Sequence, residues 1–388
     1  MKTETVKGFQ DYTGKEAEKR AIIREIIRLA FEKYNFEEAE TPIVEYEEFV
    51  RGINTNDEAI SDIFRLEDKG KRNLALRYEL TFQLKRIAKN KKLPYKRFQI
   101  GPVFRDEPVQ GNRFRQFTQC DADIVGSTIK DEAEILAISK EILDALKIKS
   151  TIYVNSRKLL NEILQELGVN DKEQAIREID KLDKLPEREV RNNLREMGAE
   201  KLIDVVRSPE KEFKRYEGYK DIEQLKKLCK NYDVEIKFSP SLARGLAYYN
   251  GTVFEIKSEI KETICAGGSY LINDIQSTGI SFGLERLQAV AKMIVQIDKY
   301  LVVSLDEDKK AIELAKKLRA QGKNTSVFYG KPSKALEYAN AYEINNVIFV
   351  GAKEVKTKKF KIKNMRTGKE KILILKEIKK KNVSLKKR

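Results

Sequence analysis

Apolar side chains recur every three to four residues in several segments of the chain, which is the period of an amphipathic helix. The longest such segment, residues 15–36, predicts a long helix. Residues 74–89 predict a short strand that passes into a helix near Thr81, and residues 131–146 predict a further helix. Between residues 150 and 238 the pattern predicts two or three helices with charged faces, at 156–167, 173–182 and 186–198.

A period of two marks a β-hairpin between Phe104 and Gly126. Polar and apolar residues alternate in 97–100 and again in 115–119, on either side of the turn-forming segment 108–112. One face of this hairpin carries arginines and carboxylates, where apolar residues are the common choice. Such a face is either solvated surface, the usual fate of a charge run, or the floor of a site for a charged ligand.

Further strands are predicted at 38–45, 252–257, 262–266 and in the first half of 278–290, whose second half predicts a helix. Pro42 favours an edge or interface position for its strand, because proline donates no ladder hydrogen bond. The pair Gly267-Gly268 is predicted to break the chain after the strand at 262–266.

From Lys299 onward, strands alternate with helices at 308–320 and 332–341, and a hairpin follows at 358–375. A β-α-β-α-β order predicts a small α/β domain with a parallel sheet. The whole chain is therefore expected to combine an α+β domain, a mostly helical insertion and a C-terminal α/β domain.

Composition narrows the class of protein. Charged residues make up 36% of the 388 residues and hydrophobic ones 41%, which is typical of a soluble globular protein. No run approaches the ~18–20 apolar residues of a membrane helix, and the N-terminus lacks the apolar core of a signal peptide. The three cysteines have no C-x-x-C spacing, so a cytoplasmic protein without a zinc cluster or a disulfide framework is expected.

The chain contains no histidine. This excludes Ser-His-Asp triads, H-E-x-x-H zinc sites and every mechanism with a histidine base. Any catalysis must rely on positioning and electrostatics, and phosphoryl or nucleotidyl transfer tolerates that restriction best.

The net charge of +16 is unevenly distributed. From residue 300 onward, 24 Lys and Arg stand against 9 Asp and Glu, whereas the first 299 residues carry 53 against 52. Such an excess on one unit predicts a polyanionic partner. A lysine-rich disordered tail at 378–388 explains part of the excess, but not the balance of the first 299 residues.

Four clusters place an arginine beside glycine, aromatic or acidic residues at a predicted strand end. They are RYELT at 77–81, FRDEPVQGNRFRQF at 104–117, LARGLAYYNGTVFE at 242–255 and GISFGLERL at 279–287. One Arg-Gly pair is weak evidence for a ligand clamp, but four such clusters in one chain are much stronger.

In this order the clusters resemble class II aminoacyl-tRNA synthetases, and specifically the histidyl-tRNA synthetase family. The segment at 104–117 resembles the second motif of the class, 279–287 the third, and ETPIVEYEEF at 40–49 the first, dimer-forming motif. The segments at 242–255 and AGGSY at 266–270 resemble two elements special to histidyl enzymes. The similarity runs from about Gly8 to the end of the chain.

The resemblance implies ATP-dependent ligation of L-histidine to tRNA(His) through a histidyl-adenylate, with ATP and Mg²⁺. It implies three domains in four chain segments: a catalytic domain at 1–151 and 237–298 built on an antiparallel sheet, a helical insertion at 152–236 near the acceptor stem, and an anticodon-binding α/β domain with a basic tail at 299–388. A homodimer is also implied.

The resemblance assigns each site residue a role. Those implied for catalysis are Arg105, Arg244 and Arg286. Those implied for ATP are Arg105 at the α-phosphate, Glu107 and Arg113 at the adenine end and the γ-phosphate, Phe114 stacked on the base, and Arg286 on the phosphates. Those implied for histidine are Glu79, Thr81 and Gln119 at its ammonium and carboxylate, Arg244 at its carboxylate, Asp123, Tyr249 and Tyr270 at the imidazole nitrogens, and Tyr248. Gln110 and Asn112 are implied at the first base pair of the tRNA, and no protein metal site is implied.

The chain departs from the family at a few positions. Ala247 replaces an acid, Ser269 and Leu271 replace an arginine and an aspartate, and Tyr78 stands where proline is common. These changes affect the predicted histidine pocket more than the arginines predicted to bind ATP. Tyr248 and Tyr249 have an alternative interpretation as core aromatics, and Asp123 as a solvated strand residue.

Two alternative functions remain. One is a non-catalytic, synthetase-like regulatory subunit of ATP phosphoribosyltransferase, although such relatives generally lack the C-terminal domain and lose motif arginines. The other is a plain nucleic-acid-binding module, which leaves the arginine clusters without a role.

Overall fold

The computed structural model describes residues 2–52, 62–109, 111, 113–183, 185–243, 248–260, 262–293 and 297–373. The chain divides into two units, Met1–Met293 and Ile294–Arg388. Each unit has its own hydrophobic clusters. Among the residues described, no helix has both the length and the apolar composition that crossing a membrane requires.

In chain order, the first unit forms α1 (Gly14–Lys33), β1 (Glu37–Glu38), β2 (Val44–Tyr46), α2 (Glu47–Arg51), β3 (Arg65–Glu67), β4 (Asn73–Leu76), α3 (Leu84–Ile87), β5 (Tyr95–Phe104), β6 (Gln116–Val125), α4 (Ile129–Ala145), β7 (Thr151–Ser156), α5 (Arg157–Glu166), α6 (Lys172–Ile179), α7 (Glu187–Glu196), α8 (Leu202–Val206), α9 (Glu217–Lys230), β8 (Ile236–Phe238), β9 (Tyr249–Lys257), β10 (Cys265–Ile272), β11 (Ile275–Gly283) and α10 (Leu284–Val290). Two 3₁₀ turns lie at Asp180–Asp183 and Glu210–Arg215.

Eight of these strands form one sheet in the order β1-β5-β6-β11-β10-β9-β7-β8. The pairs from β5 to β7 are antiparallel, and parallel pairs occur at the two edges, β1 with β5 and β7 with β8. The predicted α+β class with a large antiparallel sheet is therefore confirmed.

The predicted polar hairpin is confirmed as β5 and β6, which pair from Tyr95↔Val125 to Phe104↔Gln116. Side chains of successive strand residues point to opposite faces. Cys120, Ala122 and Ile124 consequently lie together on one face and join the main hydrophobic cluster.

Helices α1 and α4 pack against this apolar face. The helix predicted over 131–146 begins at Ile129, because Thr128 and Asp131 form a capping box: the Thr128 hydroxyl accepts from Lys130 N, and the Asp131 carboxylate accepts from Thr128 N at 2.7 Å. Ile23 and Phe31 of α1 and Ile135 and Leu136 of α4 are fully buried in the same cluster.

The helices predicted at 156–167, 173–182 and 186–198 correspond to α5, α6 and α7. The structure adds α8 and α9, which the pattern did not predict as separate helices. This segment begins with β7 and ends with β8, both strands of the main sheet, and its helices bury side chains in the main hydrophobic cluster. The predicted domain boundaries at 152 and 236 stay a prediction.

The predicted chain break at Gly267-Gly268 is wrong, because β10 runs through both glycines. A Cβ at Gly267 would overlap the Gly279 carbonyl oxygen of β11 and lie 2.6 Å from the Phe254 ring of β9. The glycines are therefore needed for close approach between strands, and the strand does not end there.

The strand predicted at 38–45 is split between two sheets. Its start is β1, whereas Val44–Tyr46 is β2 of a three-stranded sheet with the order β2-β4-β3. Arg77 anchors the segment between the two parts to the end of β5. Its Nη1 donates to the Thr41 carbonyl at 2.8 Å, and its Nε donates to the Pro102 carbonyl at 2.9 Å.

The second unit forms β12 (Lys299–Ser304), α11 (Asp308–Ala320), β13 (Asn324–Tyr329), α12 (Pro332–Ala341), β14 (Asn346–Val350), α13 (Ala352–Thr357), β15 (Lys361–Asn364) and β16 (Glu370–Ile372). The predicted α/β arrangement is confirmed: β13, β12 and β14 are parallel, and β15 and β16 extend the sheet antiparallel. Residues 374–388, which include the predicted basic tail, lie outside the described residues.

Candidate active site

The face of the large sheet opposite α1 and α4 carries the polar side chains of the hairpin. Residues in direct register on neighbouring strands share a face, so the pairing arranges them in rows. Three successive rows, each running from β5 through β6 to β11, are Arg97–Asp123–Gly279, Gln99–Asp121–Ser281 and Gly101–Gln119–Gly283.

Asp123 occupies the centre of the first row and is almost fully buried. The Tyr270 hydroxyl donates a hydrogen bond to Asp123 Oδ1. Arg97 Nη2 lies 2.8 Å from Asp123 Oδ2; this contact is an ion pair without hydrogen-bond geometry, so Oδ2 accepts no hydrogen bond within the described part of the chain. Burial raises the pKa of Asp123, and Arg97 and Tyr270 act in the opposite direction.

Asp121 lies one row further along the same face and is also buried. Burial, together with the neighbouring Asp123 carboxylate, raises the pKa of Asp121 to about 7. Interactions with Arg97 and Ser281 counteract only part of this effect. A carboxyl group that changes its protonation near neutral pH is a common property of functional sites.

Three tyrosines cluster beside Asp123. The ring centroid of Tyr248 lies 4.7 Å from that of Tyr249 and 5.5 Å from that of Tyr270. Burial raises the pKa of the Tyr248 phenol well above its usual value, with Tyr249 and the buried Glu79 as further causes. The structure thus brings together Asp123, Glu79 and the three tyrosines of the predicted histidine site.

Gln119 and Thr81 are two other residues predicted to bind histidine. Gln119 donates from Nε2 to Ser281 Oγ at 2.9 Å, two rows away from Asp123. Its Oε1 is buried and accepts no hydrogen bond from the residues described. Thr81 is half-buried in the turn before α3, where its carbonyl accepts from Leu84 N at 3.0 Å.

The predicted ATP residues of the hairpin lie at the opposite end of this face. Arg105 follows β5, donates from Nε to the Tyr78 carbonyl at 3.1 Å and lies over the Phe117 ring. The Glu107 carboxylate lies 3.7 Å from Arg105 and 3.8 Å from Arg113. Arg113 is exposed, and Phe114 beside it is half-buried.

Arg286 on α10 lies near the third row. A Cβ at Gly283 would lie 3.6 Å from Arg286 Cδ, so the arginine side chain passes over the glycine that pairs with Gln119. Arg286 Nη1 donates to the Thr263 carbonyl at 2.7 Å. The adjacent Glu285 has a structural role, because it accepts from Thr118 N and pairs with Arg20 of α1 at 2.8 Å.

Three residues of the predicted site lie outside the described residues: Arg244, Gln110 and Asn112. Ala247, a departure from the family pattern, lies outside them as well. The chain leading to residue 244 is anchored by the buried Asn155, whose Nδ2 donates to the Pro240 carbonyl at 2.9 Å and to the Leu242 carbonyl at 2.8 Å.

Ser269, one of the departures from the family pattern, does not lie on this face. Its hydroxyl donates to Glu132 of α4, which also accepts from Thr252, on the helix side of the sheet. Ser269 therefore changes the buried interior beneath α4, and not the neighbours of Asp123. Leu271, another departure, is largely exposed.

Arg97, Gln99, Asp121 and Ser281 are polar residues of these rows to which the sequence assigned no role. Arg97 lies 26 positions before Asp123, and only the antiparallel register brings the two together. The available signal was the alternation at 97–100, which gave the polar face but no partner for Arg97.

Comparison with known proteins identifies relatives of both units. A family model described as histidyl-tRNA synthetase matches residues 8–287, and one described as anticodon binding domain matches residues 297–385. Histidine–tRNA ligase 2 of Shouchella clausii is 33% identical over 412 residues, covering 95% of this chain and 97% of the relative. Histidine–tRNA ligase of Helicobacter pylori is 30% identical and covers 93% of each.

Solved structures agree in fold. Histidyl-tRNA synthetase from Nostoc sp. PCC 7120 superposes with a TM-score of 0.84 at 26% identity, covering 96% of this chain and 97% of the other. A protein from Bacillus halodurans, described as an ATP phosphoribosyltransferase regulatory subunit/histidyl-tRNA synthetase, has a TM-score of 0.75 at 19% identity, covering 87% and 96%. At that identity the second likeness shows a shared fold alone.

Proposed function

The chain belongs to the histidyl-tRNA synthetase family of class II aminoacyl-tRNA synthetases, and from this premise we propose that it ligates L-histidine to tRNA(His) in two steps. In the first, a histidine carboxylate oxygen attacks the α-phosphorus of ATP and pyrophosphate leaves. In the second, a hydroxyl of the terminal tRNA ribose attacks the carbonyl carbon of the adenylate, AMP leaves, and its phosphate takes up the hydroxyl proton. The nucleophile of the first step is already ionised, so the step needs no histidine base.

The observation that carries this proposal is the polarity of the sheet face. Carboxyl groups and phenols gather at one end, around Asp123 and Tyr270, where the buried Arg97 is paired with Asp123. Arg105 and Arg286 lie at the other end. A histidyl-adenylate has the matching polarity, with N–H donors on its amino-acid end and a phosphate next to them. The guanidinium group of arginine suits phosphate because it can donate two parallel hydrogen bonds to two phosphate oxygens.

At the amino-acid end, Asp123 would accept an imidazole N–H, and Glu79 and Gln119 would contact the ammonium and carboxylate groups. Tyr270 already donates to Asp123, so its proposed contribution is to orient that carboxylate. Tyr248 and Tyr249 supply phenols beside it. The roles of Thr81 and Arg244 rest on the family resemblance.

At the arginine end, Arg105, Arg113 and Arg286 would bind the phosphates, and Phe114 would stack on adenine. Mg²⁺ would accompany the phosphates and neutralise part of their charge. Glu107 fits this chemistry, because its oxygens lie 3.7 and 3.8 Å from two arginines, beyond close hydrogen bonding. They could therefore accept from the adenine amino group or help to hold Mg²⁺.

The second unit is proposed to bind the anticodon region of the tRNA. It matches the anticodon-binding family model, and it carries most of the net positive charge of the chain. Contacts of Lys and Arg with phosphates release counterions, so affinity for tRNA should fall steeply with salt. The approach of Gln110 and Asn112 to the acceptor end, and the cytoplasmic location, stay predictions.

A homodimer is proposed through the three-stranded sheet. Val44 pairs with Leu76, and Tyr46 and Leu66 both pair with Leu74, so these side chains share one face. Val44, Tyr46 and Leu66 are each more than 40% exposed, and an apolar surface of this kind is typical of a protein interface. Sedimentation of the wild type and of Val44→Glu tests the proposal, with a dimer expected only for the wild type.

The deciding experiment is ATP–pyrophosphate exchange with each of the twenty amino acids. Exchange stimulated by histidine alone is expected, and absence of exchange with every amino acid would refute the synthetase function and favour the regulatory-subunit alternative. Arg105→Ala and Arg244→Ala should each reduce exchange by at least about 100-fold, the scale of losing a transition-state charge contact. Arg195→Ala is the matched control, since Arg195 pairs with Glu200 on the surface.

Removal of residues 294–388 separates the two steps. This unit has its own hydrophobic clusters, so its removal should leave the first unit folded. Histidine-dependent exchange should persist, while aminoacylation of tRNA should fall strongly. Equal losses in both activities would contradict a separate tRNA-binding role.

A further inference from the structure

We propose that Arg97 is a positioning residue for histidine recognition: it assigns the single negative charge of the Asp121–Asp123 pair to Asp123 and leaves Asp121 protonated. This inference rests on the proposed function, in which Asp123 accepts an N–H of the imidazole ring.

The two carboxyl groups share one buried face. Asp121 and Asp123 are two residues apart on β6, so both side chains point away from α1 and α4, and each is no more than 3% exposed. Two like charges in such a setting cannot both form at low cost, because water does not screen them. One of the two carboxyl groups is therefore expected to keep its proton.

Arg97 decides which one. It is completely buried and lies directly opposite Asp123 in the strand register, with Nη2 2.8 Å from Asp123 Oδ2 and 2.6 Å from the Leu80 carbonyl. Its Nε and Nη1 donate no hydrogen bond to any residue the structure describes. The guanidinium is thus held at Asp123 by a carboxylate and one carbonyl.

Asp121 has a different environment. The charged groups whose fields act on it are Asp123 on its own strand, Arg97 on β5, Arg77 after β4 and Arg105 after β5. Arg77 is bound to the carbonyls of Thr41 and Pro102, and no ion pair joins either Arg77 or Arg105 to Asp121 among the described residues. Because the Arg97 guanidinium lies against Asp123 and no such ion pair reaches Asp121 among the described residues, the proton is expected on Asp121 and the negative charge on Asp123. The raised pKa of Asp121, about 7, agrees with this distribution.

This division of charge matters for the ligand. A neutral imidazole presents one N–H donor and one nitrogen acceptor, and an ionised carboxylate is an acceptor only. With Arg97 present, Asp123 is an acceptor and the group of Arg97, Asp121 and Asp123 has no net charge, which suits a neutral ring. Without Arg97, the buried pair would retain protons to a higher pH, and Asp123 would lose its acceptor form.

The test measures KM and kcat for histidine in ATP–pyrophosphate exchange between pH 7.0 and 8.5, where the imidazole is neutral. For the wild type, KM should change little with pH, because Asp123, which contacts the ring, stays ionised whether or not Asp121 loses its proton. For Arg97→Gln, KM at pH 7.0 should rise by about tenfold or more, one pKa unit being a factor of ten. It should then fall as the pH increases and Asp123 ionises, with a smaller effect on kcat.

The double variant Arg97→Gln/Asp121→Asn supplies the distinguishing result. Removing Asp121 removes the like charge, so KM at pH 7.0 should return most of the way to the wild-type value. Arg157→Gln is the matched control: Arg157 is also buried and pairs with Glu173, but it lies on α5, so its loss should lower the melting temperature and leave KM and its pH dependence unchanged.

Other outcomes overturn the inference. A KM in Arg97→Gln that equals the wild-type value, or one that is raised equally at every pH and not restored by Asp121→Asn, would show that Arg97 has only a structural role. If Arg97→Gln does not fold, Arg97→Lys with and without Asp121→Asn gives the same comparison with smaller expected changes. A wild type without histidine-dependent exchange would instead refute the proposed function itself, and the inference with it.

Discussion

Gly279 of β11 lies directly opposite Asp123, and its lack of a side chain leaves room for the Tyr270–Asp123 hydrogen bond. A Cβ at this position would overlap Asp123 Oδ1 and lie 2.8 Å from the Tyr270 hydroxyl and 2.9 Å from Asp123 Cγ. Ordinary contact begins at 3.4 Å, so Gly279→Ala must displace the carboxyl carbon by at least 0.5 Å. A substitution at Gly279 therefore directly changes the position of the Asp123 carboxyl group.

The expected cost has two parts. Overpacking a well-filled interior costs about 1–3 kcal/mol. A hydrogen bond to a charged group contributes about 1.5–3 kcal/mol, so losing the correct position of Asp123 should raise KM for histidine by about 10- to 100-fold. The free energy of unfolding of the first unit should fall by about 2–4 kcal/mol.

Histidine-dependent exchange and denaturant unfolding measure these two effects. Gly283→Ala in the same strand is the stability control, because its Cβ would meet the nearest atom, Arg286 Cδ, at an ordinary 3.6 Å and should cost less than about 1 kcal/mol. Wild-type KM in a folded Gly279→Ala protein would refute the role given to Asp123. Equal stability losses in the two alanine variants would refute the steric argument.

Three further predictions concern other contacts. Glu285→Ala removes one partner of a buried ion pair and should destabilise the first unit by about 3–5 kcal/mol in denaturant unfolding, and KM for ATP should rise because α10 also carries Arg286. Burial raises the pKa of Glu132, so the folded state binds the Glu132 proton more tightly than the unfolded state does. The protein therefore loses stability as the pH rises above the ordinary pKa of a glutamate. Glu132→Gln should accordingly increase the melting temperature more at pH 8 than at pH 5. Thr128→Ala removes the cap of α4 and should cost about 1 kcal/mol in thermal unfolding, with unchanged exchange activity.

The sequence predicted elements best where local signals agreed. The two helices predicted in the second unit, 308–320 and 332–341, have the predicted bounds, because a helical period is bounded there by turn residues and, for the second, by Pro332 at its first position. The short helix α13 was not predicted. Gly267-Gly268 shows the opposite case. A glycine pair looks the same in sequence whether it ends a strand or lets two strands approach closely, and only the neighbouring β9 and β11 decide.

The site was predictable to the extent that single residues carry it. Asp123, Tyr248, Tyr249 and Tyr270 were identified from their motifs, and the structure brings them together. The pairing of Arg97 with Asp123 depends on the hairpin register, which the alternation pattern does not determine to the residue. The motif pattern likewise gave no indication that Ser269 faces Glu132 across the other side of the sheet.

The main hydrophobic cluster of the first unit determines how its helices and the central strands of its sheet should unfold. It extends without interruption from Ile23 of α1, through Ile176 of α6 and Leu194 of α7, to Leu287 of α10. Helices that share a core with the sheet cannot lose their packing independently, so amides of the helical segment should exchange with solvent at the same global opening free energy as those of β6 and β11. The second unit has separate clusters, and calorimetry should therefore record it as a transition of its own.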